Sequence, residues 1–257
     1  MRVRVVSMWF NEERLAPFFL QHYAWADEIV ILVDADTSDG TWEILREALG
    51  VRGSNLRYRG FDFPRGLDDA LKARALTAVA NEPGCDWAIV ADADEFVFTV
   101  NSKREEQGFA TWGIQEARNV ADVIWVPMWN VYRHQNDNDL DPSRPTLPQR
   151  RYGDQHIHHV KPCAFRVGTG VELGPGSHSF TGSANLREVG RAKDGPLAAA
   201  HWQYADPDLA ALRLVTNRKD RLSPENLARG HGAHYLSLTE ESVRAECARH
   251  LDDPRLF

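Results

Sequence analysis

Three acidic side chains crowd the end of one strand-like run in this chain. In the stretch "WAIVADADEF", residues 87–96, an apolar run breaks into Asp92, Asp94 and Glu95. Acids at alternate positions after a strand point to the same side, so Asp92 and Asp94 can share a task. Because close carboxylates repel each other, a bound cation is a natural partner, and oxygen ligands at this density suit Mg²⁺ or Mn²⁺. A solvated turn of acids is the alternative.

The elements that position these acids follow from a regular alternation of strand and helix signals. Apolar strand-like runs are "VRVVSM", "EIVILV", "NLRYRGF" and "DWAIVADAD", and helical patterns cover roughly residues 15–24, "TWEILREAL" and "DDALKARALTAVA". Short strands that alternate with helices predict right-handed crossovers and a mostly parallel, Rossmann-like sheet. Ligands collect at the carboxyl ends of such strands, so "SMWFNEE", "DADTSDG" and "DADEF" are expected to converge at one edge.

The second half of the chain has a different pattern. A strand is expected in "DVIWVPMWNVYRH", followed by a polar, Pro-rich excursion. A helix should begin at "DPDL" with Asp206 as cap and Pro207 in its first turn, and a last helix, about residues 239–250, is predicted from a capping box of Ser237 and Glu240. We therefore expect one domain, with an α/β binding region in 1–130 and an acceptor-binding and lid region in 131–257.

Composition narrows the classes of function. The net charge of -7 argues against a general nucleic-acid or anionic-membrane binder. No window approaches the roughly 20 apolar residues that span a bilayer, and the N-terminus has no signal-peptide pattern, so a cytoplasmic location is expected. Three widely spaced cysteines, Cys85, Cys163 and Cys247, fit reduced thiols better than a disulfide framework.

Three motifs in order carry a resemblance to a known family. The segments are "MWFNEE" at 8–13, "VDADTSDGT" at 33–41 and "ADADEF" at 91–96. Together they resemble the nucleotide-sugar glycosyltransferases of the GT-A fold, family 2 or its family 2-like bacterial branch. The resemblance implies a GT-A-type α/β fold and a metal-dependent transfer of sugar from a nucleoside diphosphate, with UDP favoured, to a hydroxyl acceptor such as a small molecule or natural product.

The resemblance also assigns expected roles to the acids of the first half. Asp34 matches the acid that binds the nucleobase, while Asp39, beside Gly40, suits a turn or helix cap. Asp94 is expected to coordinate the metal, and Asp92 to reach the ribose or the metal. Glu95 is carried as a secondary catalytic candidate, with pairing to a base such as Arg104 as the alternative.

Further candidates for nucleotide binding flank these acids. Asn11 and Glu13, with Ser7 nearby, are expected at the base or ribose, and capping of the helix that follows the first strand is the alternative for Asn11 and Glu13. Arg74 is the predicted basic residue that faces the nucleotide, with Lys72 as its competitor.

The histidine-rich half supplies the remaining candidates. Relatives complete the metal site with a histidine from this half, and His178 and His201 are the choices here. His156 and His158 alternate, which raises a rival transition-metal site, although a polar strand beside the acceptor explains them better.

The basic, Gly-rich segment "NRKDRLSPENLARGHGAHY" suits a lid whose cations meet phosphate oxygens. Its candidates are Arg218, Lys219, His231 and His234, and Lys161 and Arg166 are further phosphate or acceptor contacts. An inverting transferase also needs a general base. Asp137, Asp139, Asp141, Asp154 and Glu172 are available, and Asp154 is carried forward.

Two other functions compete with sugar transfer. A nucleotidyltransferase would share the sheet and the acidic site, but it calls for a Gly-rich basic loop after strand one, where this chain has "WFNEERL". A non-catalytic nucleotide- or carbohydrate-binding module on the same fold is the second alternative, and intact Asp92 and Asp94 count against it.

Overall fold

The computed structural model describes residues 1–64, 66–103, 105–154 and 160–257, and it has a mixed α/β fold in which one large sheet is flanked by helices. The strands that matter here are β1 (Val3–Trp9), β2 (Glu28–Asp34), β3 (Leu56–Phe61), β4 (Trp87–Val90), β5 (Glu95–Val100), β6 (Glu106–Phe109), β7 (Val123–Tyr132), β8 (Tyr152–Asp154), β9 (Val160–Arg166), β10 (Glu172–Leu173), β11 (Phe180–Thr181), β12 (Glu188–Val189) and β13 (Leu197–Tyr204). The helices are α1 (Ala16–His22), α2 (Thr41–Gly50), α3 (Asp69–Ala80), α4 (Ala110–Ala117), α5 (Pro207–Ala211), α6 (Pro224–Ala228) and α7 (Glu240–Arg249). The predicted Rossmann-like class, with its mostly parallel sheet between helices, is confirmed.

The order of the strands fixes where a ligand can bind. Along the sheet the order is β3-β2-β1-β4-β9-β7-β13-β5-β6, and β3, β2, β1 and β4 run parallel. The chain first builds outward from β1 through β2 to β3, and then returns to the other side of β1 for β4. A crevice opens at such a reversal outside the carboxyl ends of the strands, here those of β1 and β4.

The other half of the sheet is mixed. β9 is antiparallel to both β4 and β7, whereas β13 is parallel to β7 and antiparallel to β5. In this arrangement His201 of β13 lies beside Asn130 of β7 on one side and Glu95 of β5 on the other. The register therefore brings a histidine from the second half of the chain next to the acidic turn after β4.

The central strands of the sheet are buried on both faces, and this explains why they are mostly apolar. Every residue of β1 is buried, and successive residues face opposite layers, with Val5 in one core and Val6 in the other. The first core holds Trp9, Trp129 and Trp202, and the second packs α3 against the sheet. The rigid strands are thus held from both sides at the edge where the polar loops emerge.

Helix ends agree with the sequence in one place and differ in two. Asp206 caps α5 as predicted, since its Oδ1 accepts from the Leu209 amide at 2.8 Å. The predicted capping box of Ser237 and Glu240 is wrong: α7 begins after Thr239, whose hydroxyl accepts from the Ser242 amide, because Ser237 still belongs to a preceding 3₁₀ turn, Ala233–Ser237.

The start of α2 is the second difference. Its cap position is Gly40 rather than Asp39. The Gly40 amide donates to Glu13 at 2.8 Å, and Asp39 Oδ1 accepts from the Thr41 amide at 3.0 Å. A side chain from the loop after β1 therefore supplies part of the cap.

The segment after α5 departs from regular helix. Residues Leu212–Arg218 form a π-helical stretch, and Lys219–Arg221 form a 3₁₀ turn. Within the described residues, no helix is long and apolar enough to cross a membrane.

Candidate functional site

A cavity lies at the reversal of strand order. Its apolar wall is formed by Met8, Trp9, Phe10, Phe63, Leu67 and Leu214. Its charged wall is formed by Glu12, Asp34, Lys72, Asp92, Asp94, Arg213, Arg218 and Arg221, with His201 and Asn217 beside them. We call this space the first cavity; an apolar lining with a few convergent charged groups is typical of a small-molecule site.

The acids of the first cavity come from the ends of three adjacent parallel strands. Glu12 follows β1, Asp34 is the last residue of β2, and Asp92 and Asp94 form the turn between β4 and β5. The structure thus brings the three polar clusters together as strand-end geometry requires. In the first cluster, however, the residue in the cavity is Glu12, which the sequence analysis did not select.

Arg213 joins two of these acids. Its Nη2 lies 2.9 Å from Glu12 Oε1, and its Nη1 donates to Asp94 Oδ2. Burial raises the pKa of Glu12 to about 7, although Arg213 acts in the opposite direction. Burial also tends to raise the pKa of Asp94, but the charge of Arg213 holds it well below its usual value.

Two lysines hold the other acids of the turn. Lys72 of α3 donates to Asp92 at 2.6 Å, and Lys161 of β9 lies 3.5 Å from Asp92 and 2.5 Å from Glu95. Burial works to raise the pKa of Asp92, yet the two ammonium groups keep it below its usual value. Glu95 is fully buried, lines neither cavity and accepts from the Asp92 amide at 3.0 Å, so it fixes the turn that presents Asp92.

The carboxylate of Asp34 pairs with a different cation, Arg221. Its Oδ2 accepts from Arg221, whose guanidinium carbon lies 3.4 Å from the centre of the Phe10 ring. Arg221 is positioned by its backbone, because its carbonyl accepts from the Leu67 amide at 2.6 Å. The neighbouring Gly66 has φ +87, and a Cβ there would lie 2.6 Å from the same carbonyl, so only glycine permits this approach.

The π-helical stretch explains how two arginines reach the first cavity together. Arg213 and Arg218 are five residues apart, and in an α-helix their directions would differ by about 140°. Hydrogen bonding from residue i to i+5 widens the turn and places them on one face, together with Asn217. Such stretches are frequent at functional sites, and their sequence gives no periodic signal.

Two atoms in the first cavity are suited to a metal ion. Nδ1 of His201 donates to Asn130 Oδ1 at 3.0 Å, so the lone pair of a neutral imidazole lies on Nε2, which is 3.5 Å from Asp94 Oδ2. A histidine whose second nitrogen is fixed in this way is the usual arrangement of a metal ligand. Asp94 and His201 therefore fit the expected ion, although no cluster of three or more His, Cys, Asp or Glu is found within the described part of the chain.

A second cavity opens beside the first and shares four residues with it, namely Lys72, Asp92, His201 and Arg218. His178, Asp154, His231 and His234 line this second cavity, and Tyr132 and Tyr204 stack in its wall with ring centres 5.4 Å apart. Oδ1 of Asp154 is buried and has no hydrogen-bond partner among the residues that the structure describes. The second cavity thus combines an aromatic wall with an available carboxylate.

Several predicted binding residues lie outside the first cavity. Ser7 is fully buried and accepts from the Trp9 indole at 2.8 Å. Asn11 accepts from the Ser38 amide at 2.8 Å, and Glu13 accepts from the Gly40 amide at 2.8 Å, so both side chains bond to the loop before α2 and neither caps α1, the helix that follows β1. Lys219 donates to the Leu238 carbonyl at 3.2 Å.

The choice between the two basic residues of α3 is also clear in the structure. Arg74 is exposed, whereas Lys72 lines both cavities. Positions two apart on an α-helix point in widely different directions, so only one of the pair can face the site.

Arg166 lies away from both cavities, over the ring of Trp87 and paired with Asp122. The predicted pair His156 and His158, and the Arg104 considered as a partner of Glu95, fall outside the described residues. Glu12, Arg213, Asn217 and Arg221 were missed by the sequence analysis. Glu12 stood inside a motif that had been selected, and the other three stand in the segment read only as a helix and basic lid.

Comparisons with known proteins add little to this geometry. No family model matches the chain, and no curated protein matches it in sequence. Among solved structures, the chain is similar to a mannose-1-phosphate geranyltransferase from Thermus thermophilus, with 16% identity over 96% of this chain and 68% of that one, at a TM-score of 0.32. A likeness at this level identifies neither a family nor an activity, so the chemistry of the site rests on its own residues.

Proposed function

We propose that the protein is a glycosyltransferase that moves a sugar from a nucleoside diphosphate to a hydroxyl acceptor. The observation that carries this proposal is the convergence of Glu12, Asp34, Asp92 and Asp94 in one cavity at the strand reversal, whose lining also includes several apolar side chains. The order of the three motifs along the chain supports the same function. The resemblance favours UDP as the carrier.

The geometry suggests a place for each part of the donor. A nucleobase would lie near Phe10 and Asp34, where an aromatic ring and a buried carboxylate are adjacent. The diphosphate would lie at the charged wall, near Asp92, Asp94 and Arg218. The sugar would then reach the residues shared by the two cavities, so that its reacting carbon faces the second cavity.

Asp94 and His201 would hold a Mn²⁺ or Mg²⁺ ion, which neutralises the charge that develops on a diphosphate leaving group. Lys72 and Arg218 would add their own charges at the phosphates. His178 lies on the second cavity rather than the first, so His201 is the better choice for the metal. We choose His201 because its Nε2 lies 3.5 Å from Asp94 Oδ2.

The second cavity is the proposed acceptor site. Asp154 is suited to accept the proton of an acceptor hydroxyl, since its Oδ1 is not committed to another described group. Glu95 is better suited to positioning than to catalysis, because Lys161 and the Asp92 amide occupy its two oxygens.

A donor panel tests the proposal. Purified protein is incubated with nucleoside diphosphate sugars, Mn²⁺ and a set of hydroxyl acceptors, and the released nucleotide is measured. Release of a nucleoside diphosphate that is lost in Asp94→Asn supports glycosyl transfer. Formation of pyrophosphate from a nucleoside triphosphate and a sugar phosphate indicates a nucleotidyltransferase, and binding without turnover indicates a binding module.

A further inference from the structure

One carboxylate oxygen in the first cavity lies close to two different side chains. Asp94 Oδ2 accepts from Nη1 of Arg213 and also lies 3.5 Å from Nε2 of His201. Nδ1 of His201 donates to Asn130 Oδ1 at 3.0 Å, so in the neutral imidazole Nε2 carries the lone pair that faces this carboxylate. Two acceptors that face each other at this distance are suited to a cation between them, but the guanidinium already holds the oxygen.

Arg213 does not depend on Asp94 alone. Its Nη2 lies 2.9 Å from Glu12 Oε1, and its Nε lies 3.1 Å from Glu12 Oε2, which makes a bidentate pair. The side chain is also largely buried, with 13% of its surface exposed. Arg213 can therefore remain in place on Glu12 while its Nη1 exchanges one acceptor for another.

We propose that Arg213 is a placeholder for the divalent cation. In the nucleotide-free protein it neutralises Asp94, and it releases Asp94 when a diphosphate oxygen becomes the new acceptor for Nη1. The inference rests on the proposed function, since the anion that frees Asp94 is the diphosphate of the donor. Cation and diphosphate then bind as coupled partners, each raising the affinity for the other.

Arg218 provides a matched control. It lines the same cavity, but among the described residues it forms no ion pair with a carboxylate, and its Nη1 donates to the Tyr235 hydroxyl at 2.9 Å. Removing Arg218 changes the local charge by the same amount as removing Arg213, without releasing Asp94.

The test measures Mn²⁺ affinity of the full chain without nucleotide, from the electron paramagnetic resonance signal of free Mn²⁺. Arg213→Gln is expected to bind Mn²⁺ on the order of tenfold more tightly than wild type. Arg213→Lys should fall between them, because a single ammonium cannot pair with Glu12 and Asp94 at once in the same way. Arg218→Gln should change the affinity by less than about threefold, because Arg218 makes no direct contact with Asp94 and its removal frees no ligand for the ion.

Equal effects of Arg213→Gln and Arg218→Gln would overturn the proposal, because a general charge effect would then explain both. Should Arg213→Gln fail to fold, Glu12→Gln provides a second test, in which the Mn²⁺ affinity is expected to change in the opposite direction. Without its second anchor Arg213 is left with Asp94 alone, so Mn²⁺ should bind more weakly; unchanged or tighter binding would contradict the placeholder. Failure of wild type with Mn²⁺ to bind any nucleoside diphosphate would instead count against the proposed function.

Discussion

The acids and the cations of the first cavity come from two regions that fold in different ways. The acids lie within residues 12–94, at the ends of strands whose two faces are buried. Three of the four cations, Arg213, Arg218 and Arg221, come from one irregular segment of the second half. The sheet therefore fixes the positions of the acids, whereas a segment with unusual backbone hydrogen bonding supplies most of the positive charge that balances them.

The largest expected effect lies on the acidic side. Asp94→Asn should lower the rate of sugar transfer more than about a hundredfold, because it removes the oxygen that a metal ion and Arg213 share. Steady-state kinetics of nucleoside diphosphate release measures this loss. An activity close to wild type in a folded Asp94→Asn protein would show that the strand-end turn is not the reacting centre.

Substitution of Asp34 tests whether the acids at the strand ends and the cations of the irregular segment meet at the nucleobase. Asp34→Ala leaves Arg221 without its carboxylate in a buried setting, and breaking such a pair should cost about 3 kcal/mol of unfolding free energy. Nucleotide affinity should fall as well, and calorimetry with a nucleoside diphosphate measures it. Loss of stability with unchanged affinity would assign the Asp34 and Arg221 pair to folding alone.

Substitutions of Lys72 and Arg74, both on α3, test the cation of the first cavity that does not come from the irregular segment. Lys72→Ala should weaken binding of the nucleoside diphosphate by roughly tenfold, since Lys72 lines both cavities and pairs with Asp92. Arg74→Ala is the control, because Arg74 is exposed on the same helix. Equal effects of the two substitutions would contradict the assigned orientation of α3.

The smallest expected effect concerns Glu12 and the way in which the free energy of unfolding depends on pH. Burial raises its pKa from 4.5 to about 7, so the folded protein binds a proton that the unfolded chain has released over this range. The contribution of Glu12 to stability should therefore fall as the pH rises from about 4.5 to about 7 and level off above that. Chemical denaturation of wild type and Glu12→Gln across this range measures the difference, and a constant difference would contradict the shift.

Much of the fold and part of the site can be predicted from the sequence, for a physical reason. Mostly apolar runs such as those of β1 and β2 predict strands buried on both faces, and the strand-end rule then locates Asp34, Asp92 and Asp94. The same reasoning selects the loop after β1, but cannot say that Glu12 faces the cavity while Glu13 caps α2. That choice depends on Asn11, whose φ of +51 turns the backbone at this point.

The cations could not be predicted in the same way. The π-helical register of residues 212–218 places Arg213 beside Arg218, whereas a periodicity of 3.6 separates them. Lys161 reaches the acids only because β9 pairs with β4 across a long sequence separation. Long-range pairing and local irregularity both lie outside what a periodic pattern can show.

A crystal structure of the protein with a nucleoside diphosphate and Mn²⁺ tests the central claim most directly. The account predicts a base beside Asp34 and Phe10, a diphosphate within hydrogen-bonding distance of Arg218, and Mn²⁺ between Asp94 and His201. Density for the nucleotide away from the ends of β1, β2 and β4 would contradict it.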